Sequence, residues 1–139
     1  MGLTGALALA QEPQYQEIPE EDEDLTRRSE YTFNPIQAAK EFKVGEFYWK
    51  KGSFRAAAGR YEEASKWNPG YAEAYWKLAL AREKLADKEP LETERRQLLE
   101  SARQALEKYL EVAPEGDRAK DAKAKIAELG RLAAKLETP

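Results

Sequence analysis

Residues 38–70 read AAKEFKVGEFYWKKGSFRAAAGRYEEASKWNPG, and the fold is predicted mainly from the spacing of residues in this stretch. Small residues recur where two helices would have to touch, aromatic residues stand beside them, and a proline closes the unit. The positions are Gly45, Tyr48, Gly52, Phe54, Ala57, Tyr61, Ala64 and Pro69. Their spacing predicts two helices that are joined by a short turn and packed closely against each other.

The pattern resembles the tetratricopeptide repeat, a helical hairpin of about 34 residues that stacks side by side with copies of itself. The residues at the signature positions of that family are Gly45, Ala57, Tyr61, Ala64 and Pro69. Glu41 departs from the pattern, since the family usually carries a large apolar residue there. The resemblance implies a binding surface rather than a catalyst, and it does not identify the partner.

A second copy follows the first, so we predict repeat 1 at 38–71 and repeat 2 at 72–116. The residues that match the second half of repeat 1 are Ala102, Leu106, Tyr109 and Pro114. Ala79 matches Gly45, but twelve residues separate Gly45 from Ala57 while twenty-three separate Ala79 from Ala102. The extra eleven lie near 87–99, and within this range Pro90 favours a helix start. We expect them to lengthen the second helix of the repeat by two or three turns.

Two further features complete the repeat region. Tyr109 is bulky for a position that the family fills with alanine, which predicts looser or shifted packing there. After an Asp117 N-cap, an apolar stripe recurs at spacings of three and four and predicts a capping helix over 117–136. The stripe consists of Ala119, Ala122, Ile126, Leu129, Leu132 and Leu136.

The predicted fold class is therefore all-α, with five helices at 35–51, 54–67, 72–87, 91–112 and 117–136. The resemblance implies that two hairpins and the capping helix form a right-handed superhelical stack. No stretch of the sequence alternates strictly between apolar and polar residues, as a half-buried strand would.

Composition restricts the chemistry of this 139-residue chain, which contains no cysteine and no histidine. Thiol nucleophiles, zinc sites of Cys and His, disulfides and Ser-His-Asp triads are excluded by inventory. A glycine-rich phosphate loop is also missing, and nothing singles out a catalytic pair among the 26 acidic residues. We predict that the protein is not an enzyme and has no cofactor or metal.

The first ten residues give a prediction of where in the cell the protein is located. The apolar run Leu3–Ala10 ends in Ala8-Leu9-Ala10 before Gln11, which resembles the cleavage site of a secretory signal. We interpret residues 1–10 as the remnant of a signal peptide and predict a periplasmic or cell-envelope protein; a cytoplasmic location is the alternative. The chain is similar to small periplasmic tetratricopeptide proteins, and its hairpins are similar to those of outer-membrane assembly lipoproteins, although it lacks their lipidated cysteine. No run reaches the roughly 20 apolar residues of a membrane span.

Residues 11–34 are predicted to form an acidic, disordered linker. Residues 1–34 contain eight acids against Arg27 and Arg28, a net charge of −6. Because the whole chain carries −3, residues 35–139 carry +3. The linker is a spacer, an autoinhibitor or a recognition element, and the sequence leaves these alternatives open.

The family's register places a partner in a concave groove lined by the first helix of each pair. The predicted groove residues are Phe42, Glu46, Trp49, Lys50, Trp76, Leu80, Glu83 and Lys84. Aromatic residues flanked by cations are typical of peptide-binding hot spots, so we expect Trp49 and Trp76 to be partly exposed. The plainer alternative is that Phe42, Trp49 and Trp76 pack between helices. Trp67 is predicted to be a packing wedge.

The predicted function is a non-catalytic module that binds a protein or peptide. The alternative is a structural subunit, either homo-oligomeric or part of a larger membrane-associated envelope assembly, with the same aromatic residues buried in an interface. Nucleic acid is not predicted as a partner, since +3 is a modest charge and the acidic segment would repel phosphates.

Overall fold

Five α-helices follow one another in the computed structural model, which describes residues 31–137. They are α1 (Pro35–Lys50), α2 (Phe54–Trp67), α3 (Ala72–Lys88), α4 (Glu92–Val112) and α5 (Ala119–Glu137). The described residues are 81% helical and contain no strand. The predicted all-α class with five helices is confirmed, and every predicted boundary lies within two residues of the observed one. The predicted signal remnant and most of the predicted linker lie outside the described residues.

The first helix is bounded by two local motifs. At its start the Asn34 side chain accepts a hydrogen bond of 3.0 Å from the Gln37 amide, and Pro35 occupies the first helical position. At its end Gly52 adopts a positive φ of 75°. The Gly52 amide donates to the Trp49 carbonyl and the Ser53 amide to the Tyr48 carbonyl, each at 3.0 Å. This pair of bonds is the Schellman motif that ends helices in glycine.

The crossing of α1 and α2 depends on Gly45. A Cβ atom at this position would lie 2.7 Å from the Tyr61 ring, so only glycine lets the ring lie directly against the α1 backbone. The other small residues predicted at helix crossings are also buried, whereas the two prolines are exposed in turns. The buried residues are Ala57, Ala64, Ala79 and Ala102, and the prolines are Pro69 and Pro114.

Each helix packs most extensively against the helices that precede and follow it in the chain. Arg82 of α3 donates to Glu62 of α2 at 2.6 Å and to the Ser101 carbonyl of α4 at 3.1 Å. Lys77 of α3 pairs with Glu46 of α1 at 3.4 Å. Helix α3 also bonds to α5, through Glu83 and Lys125 at 3.2 Å. Side chains of α3 therefore bond to all four other helices.

The second hairpin is longer than the first, although both have three-residue connections. Nine residues separate Ala79 from the end of α3, against five from Gly45 to the end of α1. Ten separate the start of α4 from Ala102, against three from the start of α2 to Ala57. The extra eleven residues thus add four to α3 and seven to α4, about one and two turns. We expected α4 alone to lengthen, but the strong helix formers at 83–88 extend α3 as well.

Tyr109 does not loosen the packing of the second hairpin; of the two expected outcomes, the packing is shifted toward the turn before α5. Its ring is buried, and its hydroxyl accepts a hydrogen bond of 2.9 Å from the Arg118 amide. Gly116 makes room for the hydroxyl, since a Cβ there would lie 2.5 Å from the Tyr109 oxygen. Helix α5 begins at Ala119, so Asp117 lies in the preceding turn instead of at the predicted cap position.

Candidate functional site

The best-defined aromatic residue on the α1–α3 side of the domain is Trp49. The Lys77 ammonium lies 4.0 Å from the centre of the Trp49 ring, and Phe54 contacts the ring edge-on at 5.1 Å between centroids. A cation over an indole face is attracted by the ring's negative electrostatic potential. Trp49 packs against the core and keeps an intermediate exposure in this arrangement, so the side chain is held in place and is only partly accessible.

Glu46 connects this tryptophan cluster to the core. It pairs with Lys77 and accepts a hydrogen bond from the Tyr61 hydroxyl. Burial, and then the hydrogen bond to the Glu46 carboxylate, raise the pKa of the Tyr61 hydroxyl above its usual value. The hydroxyl therefore remains protonated and acts as a donor. Because both of its partners belong to the domain, Glu46 positions Lys77 and is not free to bind a ligand.

Phe42 packs within the domain. Its ring lies 5.3 Å from the ring of Tyr61 and 5.1 Å from that of Tyr71, measured between centroids. The side chain is partly buried between these two tyrosines. The packing alternative therefore describes Phe42 better than an open groove position does.

Trp76 is only 6% exposed, so the expectation that it is partly exposed is wrong. The Arg118 guanidinium lies 5.1 Å from the centre of its ring, and the Tyr109 ring lies at 6.1 Å. Arg118 is held by Glu73 of α3 at 3.1 Å. The turn before α5 thus covers the part of α3 that we expected to face a groove.

Of the remaining predicted groove residues, one forms an ion pair within the domain and three are at least partly exposed to a partner. Glu83 pairs with Lys125 at 3.2 Å, and burial raises the pKa of the Glu83 carboxyl although Lys125 opposes the shift. Leu80 is partly buried, whereas Lys50 and Lys84 are exposed. Trp49, Leu80 and these two lysines are therefore the predicted residues that a partner could touch.

Sequence reasoning missed Lys77, which joins the two helices of the site. A sequence signal for it exists, because Lys77, Leu80 and Lys84 follow one another at spacings of three and four and so share one face of α3. The predicted wedge Trp67 lies against the Tyr31 ring at 5.1 Å, away from this site.

Within residues 31–137, no group of three or more His, Cys, Asp or Glu side chains is placed to hold a metal ion. None of the five described helices combines the length and apolarity needed to cross a membrane. No family model matches the chain, and no curated protein or solved structure matches it either.

Proposed function

We propose that residues 35–136 form a non-catalytic protein-binding module, made of two tetratricopeptide-type hairpins and a capping helix. Its binding surface lies on α1 and α3 around Trp49. The observation that carries this proposal is the geometry of Trp49, a partly exposed ring that Lys77 holds from above and Phe54 from the side.

A fixed, partly accessible tryptophan is well suited to anchor a peptide. Tryptophan is enriched among the interface residues that dominate binding energy. A ring that is ordered before binding also loses little conformational freedom when a partner arrives. Lys77 and Phe54 thus prepare Trp49 for contact, and the partly buried Leu80 supplies further apolar area on α3.

The charges around the ring favour an acidic peptide. The carboxylates of Glu46 and Glu83 are engaged by Lys77 and Lys125. The exposed charges of the predicted set are the ammonium groups of Lys50 and Lys84. We therefore propose that the preferred ligand has an apolar or aromatic residue for Trp49 next to one or more carboxylates. Charge complementarity of this kind increases specificity and the rate of association.

The repeat assignment is supported by the helix pair around Gly45 and by its partial repetition. Gly45, Ala57 and Ala64 permit close contact in the first hairpin, while Ala79 and Ala102 are buried at the matching positions of the second. The consecutive packing of the helices is what a stacked array of hairpins requires. Since Phe42 and Trp76 are used in packing, the proposed surface is smaller than the eight residues predicted from the sequence.

A displayed library of random peptides tests the proposal and does not require an identified partner. Peptides selected on the full chain should lose binding to Trp49→Ala and keep binding to the control Phe33→Ala, which also removes an exposed ring. They should bind more weakly to Lys84→Glu than to Lys123→Glu, which makes the same charge change on an exposed site of α5. If the selected peptides bind equally well to Trp49→Ala and to the unaltered chain, the proposed surface is wrong.

A further inference from the structure

The outer side of α1 exposes large apolar side chains. Ile36 is 71% exposed and Phe47 is 53% exposed, and Phe33 just before the helix is 72% exposed. Ile36 and Phe47 are eleven residues apart, which is close to three full turns, so they lie on one line along the helix. Phe33 and Ile36 at the start of α1 and Phe47 near its end form the two ends of an apolar ridge. The exposed lysines Lys40 and Lys43 occupy the turns between them. Exposed apolar side chains of this size mark an interaction surface.

Lysines border this ridge on both edges. Positions at 100° per residue place Lys40 and Lys51 on one side of the Ile36–Phe47 line, with Lys43 and Lys50 on the other. All four lysines are exposed. The Lys51 ammonium lies 5.0 Å from the centre of the Phe47 ring, so the cation and the apolar ridge are in direct contact.

The acidic residues of α1 are turned away from the ridge. Glu41 pairs with Arg60 of α2 at 3.1 Å, and Glu46 pairs with Lys77 of α3. The outer side of α1 therefore carries four cations and no carboxylate of its own helix. This local charge favours an anionic occupant, and it has to outweigh the −6 that residues 1–34 of the same chain carry.

A second copy of the chain is a poor occupant when it offers α1 or α5. Two copies meeting through α1 would bring eight lysines together. The exposed side of α5 is also basic, with four cations against two acids, so a contact between α1 and α5 would be repulsive as well. The α5 residues are Lys120, Lys123, Arg131 and Lys135 against Asp121 and Glu128. The exposed side of its α4 is acidic, with Glu92, Glu94, Glu107 and Glu111 against Lys108. A contact between α1 and α4 is therefore an alternative that the test has to separate.

We propose that the outer side of α1 docks on an anionic lipid bilayer, with the helix axis parallel to the membrane plane. Phe33, Ile36 and Phe47 enter the boundary between headgroups and acyl chains, while the lysines extend to the lipid phosphates. A convex ridge with cations on both edges suits a flat anionic surface, whereas an acidic protein would have to offer a matching groove. The lysines add electrostatic attraction to the burial of the apolar ridge.

This inference goes beyond the proposed peptide binding and does not depend on it. Trp49 lies about 140° around α1 from Ile36, at 100° per residue. A domain docked through the Ile36–Phe47 line would therefore still present Trp49, Lys77 and Lys84 to a partner. Lys50, which borders both surfaces, would lie at the lipid phosphates. Each activity can fail while the other holds.

Cosedimentation of the full chain with lipid vesicles tests the proposal. We expect binding to vesicles of phosphatidylglycerol and phosphatidylcholine in equal parts, and none to pure phosphatidylcholine. Lys40→Gln/Lys51→Gln should weaken binding by about 25-fold, since each lysine near an anionic surface contributes about fivefold. The matched control Lys120→Gln/Lys123→Gln removes two exposed lysines of α5 and should change binding by less than about twofold.

A second pair of variants tests the apolar ridge. Ile36→Ser/Phe47→Ser should abolish binding, while Leu91→Ser, a change at another exposed apolar residue, should leave it unchanged. Circular dichroism should show that both variants stay helical. The proposal is overturned if the full chain does not bind the anionic vesicles, or if the α5 control weakens binding as much as the α1 variant does. It is also overturned if Phe47→Ser dissolves a dimer or the capture of an acidic protein while vesicle binding persists.

Discussion

The two hairpins, α1–α2 and α3–α4, each bury a tyrosine ring, but the ring occupies a different position in each. In the first, Tyr61 of α2 lies against Gly45 and donates its hydroxyl to Glu46 of α1. In the second, Leu106 takes the position of Tyr61, and the ring appears three residues later at Tyr109. The Tyr109 hydroxyl accepts a hydrogen bond from the Arg118 amide, in the turn before α5.

The first hairpin has Gly45 at its helix crossing and the second has Ala79, and this difference of one methyl group determines where an aromatic ring can pack. Glycine at position 45 admits a ring between α1 and α2, so the first hairpin closes on itself. With Ala79 at the matching place, the branched side chain of Leu106 fills the crossing, and the ring moves one turn along the helix. There its hydroxyl bonds to the turn before α5, so the second hairpin is linked to the segment that follows it.

The largest expected effect concerns the two rings themselves. Tyr61→Ala and Tyr109→Ala should each lower the free energy of unfolding by about 3–5 kcal/mol, because each leaves a large cavity in a packed seam. Urea denaturation followed by circular dichroism measures both. If Tyr109→Ala were neutral, the contact of Tyr109 with the turn before α5 would not matter for stability.

A smaller and sharper test compares glycines within helices. Gly45→Ala should destabilise the domain by about 1–2 kcal/mol, since overpacking against Tyr61 exceeds the gain in helix propensity. Gly59→Ala should instead stabilise it by about 0.5–1 kcal/mol, because a Cβ at Gly59 meets no atom within 4 Å. Thermal unfolding of the two variants should therefore shift in opposite directions. Equal shifts would show that the Gly45–Tyr61 contact is not tight.

Replacing each tyrosine by phenylalanine removes only the hydroxyl group and compares the hydrogen bonds of the two hairpins. Tyr109→Phe should cost about 1 kcal/mol, because it leaves the Arg118 amide without its acceptor. Tyr61→Phe should cost less, since Glu46 keeps Lys77 and is partly exposed to water. Denaturant midpoints at neutral pH give both values. A larger loss of stability for Tyr61→Phe than for Tyr109→Phe would contradict this expectation.

The smallest expected effect is a pH dependence at Glu83. Burial raises the pKa of this carboxyl in the folded state, so the proton is bound more tightly there than in the unfolded chain. Its contribution to stability is complete below the unfolded pKa and is lost as the pH rises through the folded one. Glu83→Gln should thus gain stability over the unaltered chain between acidic and neutral pH. A loss at neutral pH would show that the Lys125 pair outweighs burial.

The fold was largely predictable because its signals are local. The spacing of Gly45, Ala57 and Tyr61 predicted the first crossing, and the start of every helix was predicted within two residues. The site was less predictable, since its exposure depends on contacts between distant residues. The sequence of α3 places Trp76 on a face shared with Leu80, but Arg118, more than forty residues later, covers its ring. The reach of Tyr109 to the next turn is also set by tertiary packing.

We propose that a partner contacts Trp49 and does not contact Trp67 or Trp76. The indole N–H signals of Trp49, Trp67 and Trp76 can be followed separately by NMR while a library-selected peptide is added to the labelled chain, with Trp49→Phe identifying the signal of Trp49. We predict that the Trp49 signal shifts in proportion to bound peptide and that the Trp67 and Trp76 signals stay in place. A shift of Trp67 or Trp76 with an unchanged Trp49 would contradict the proposed surface.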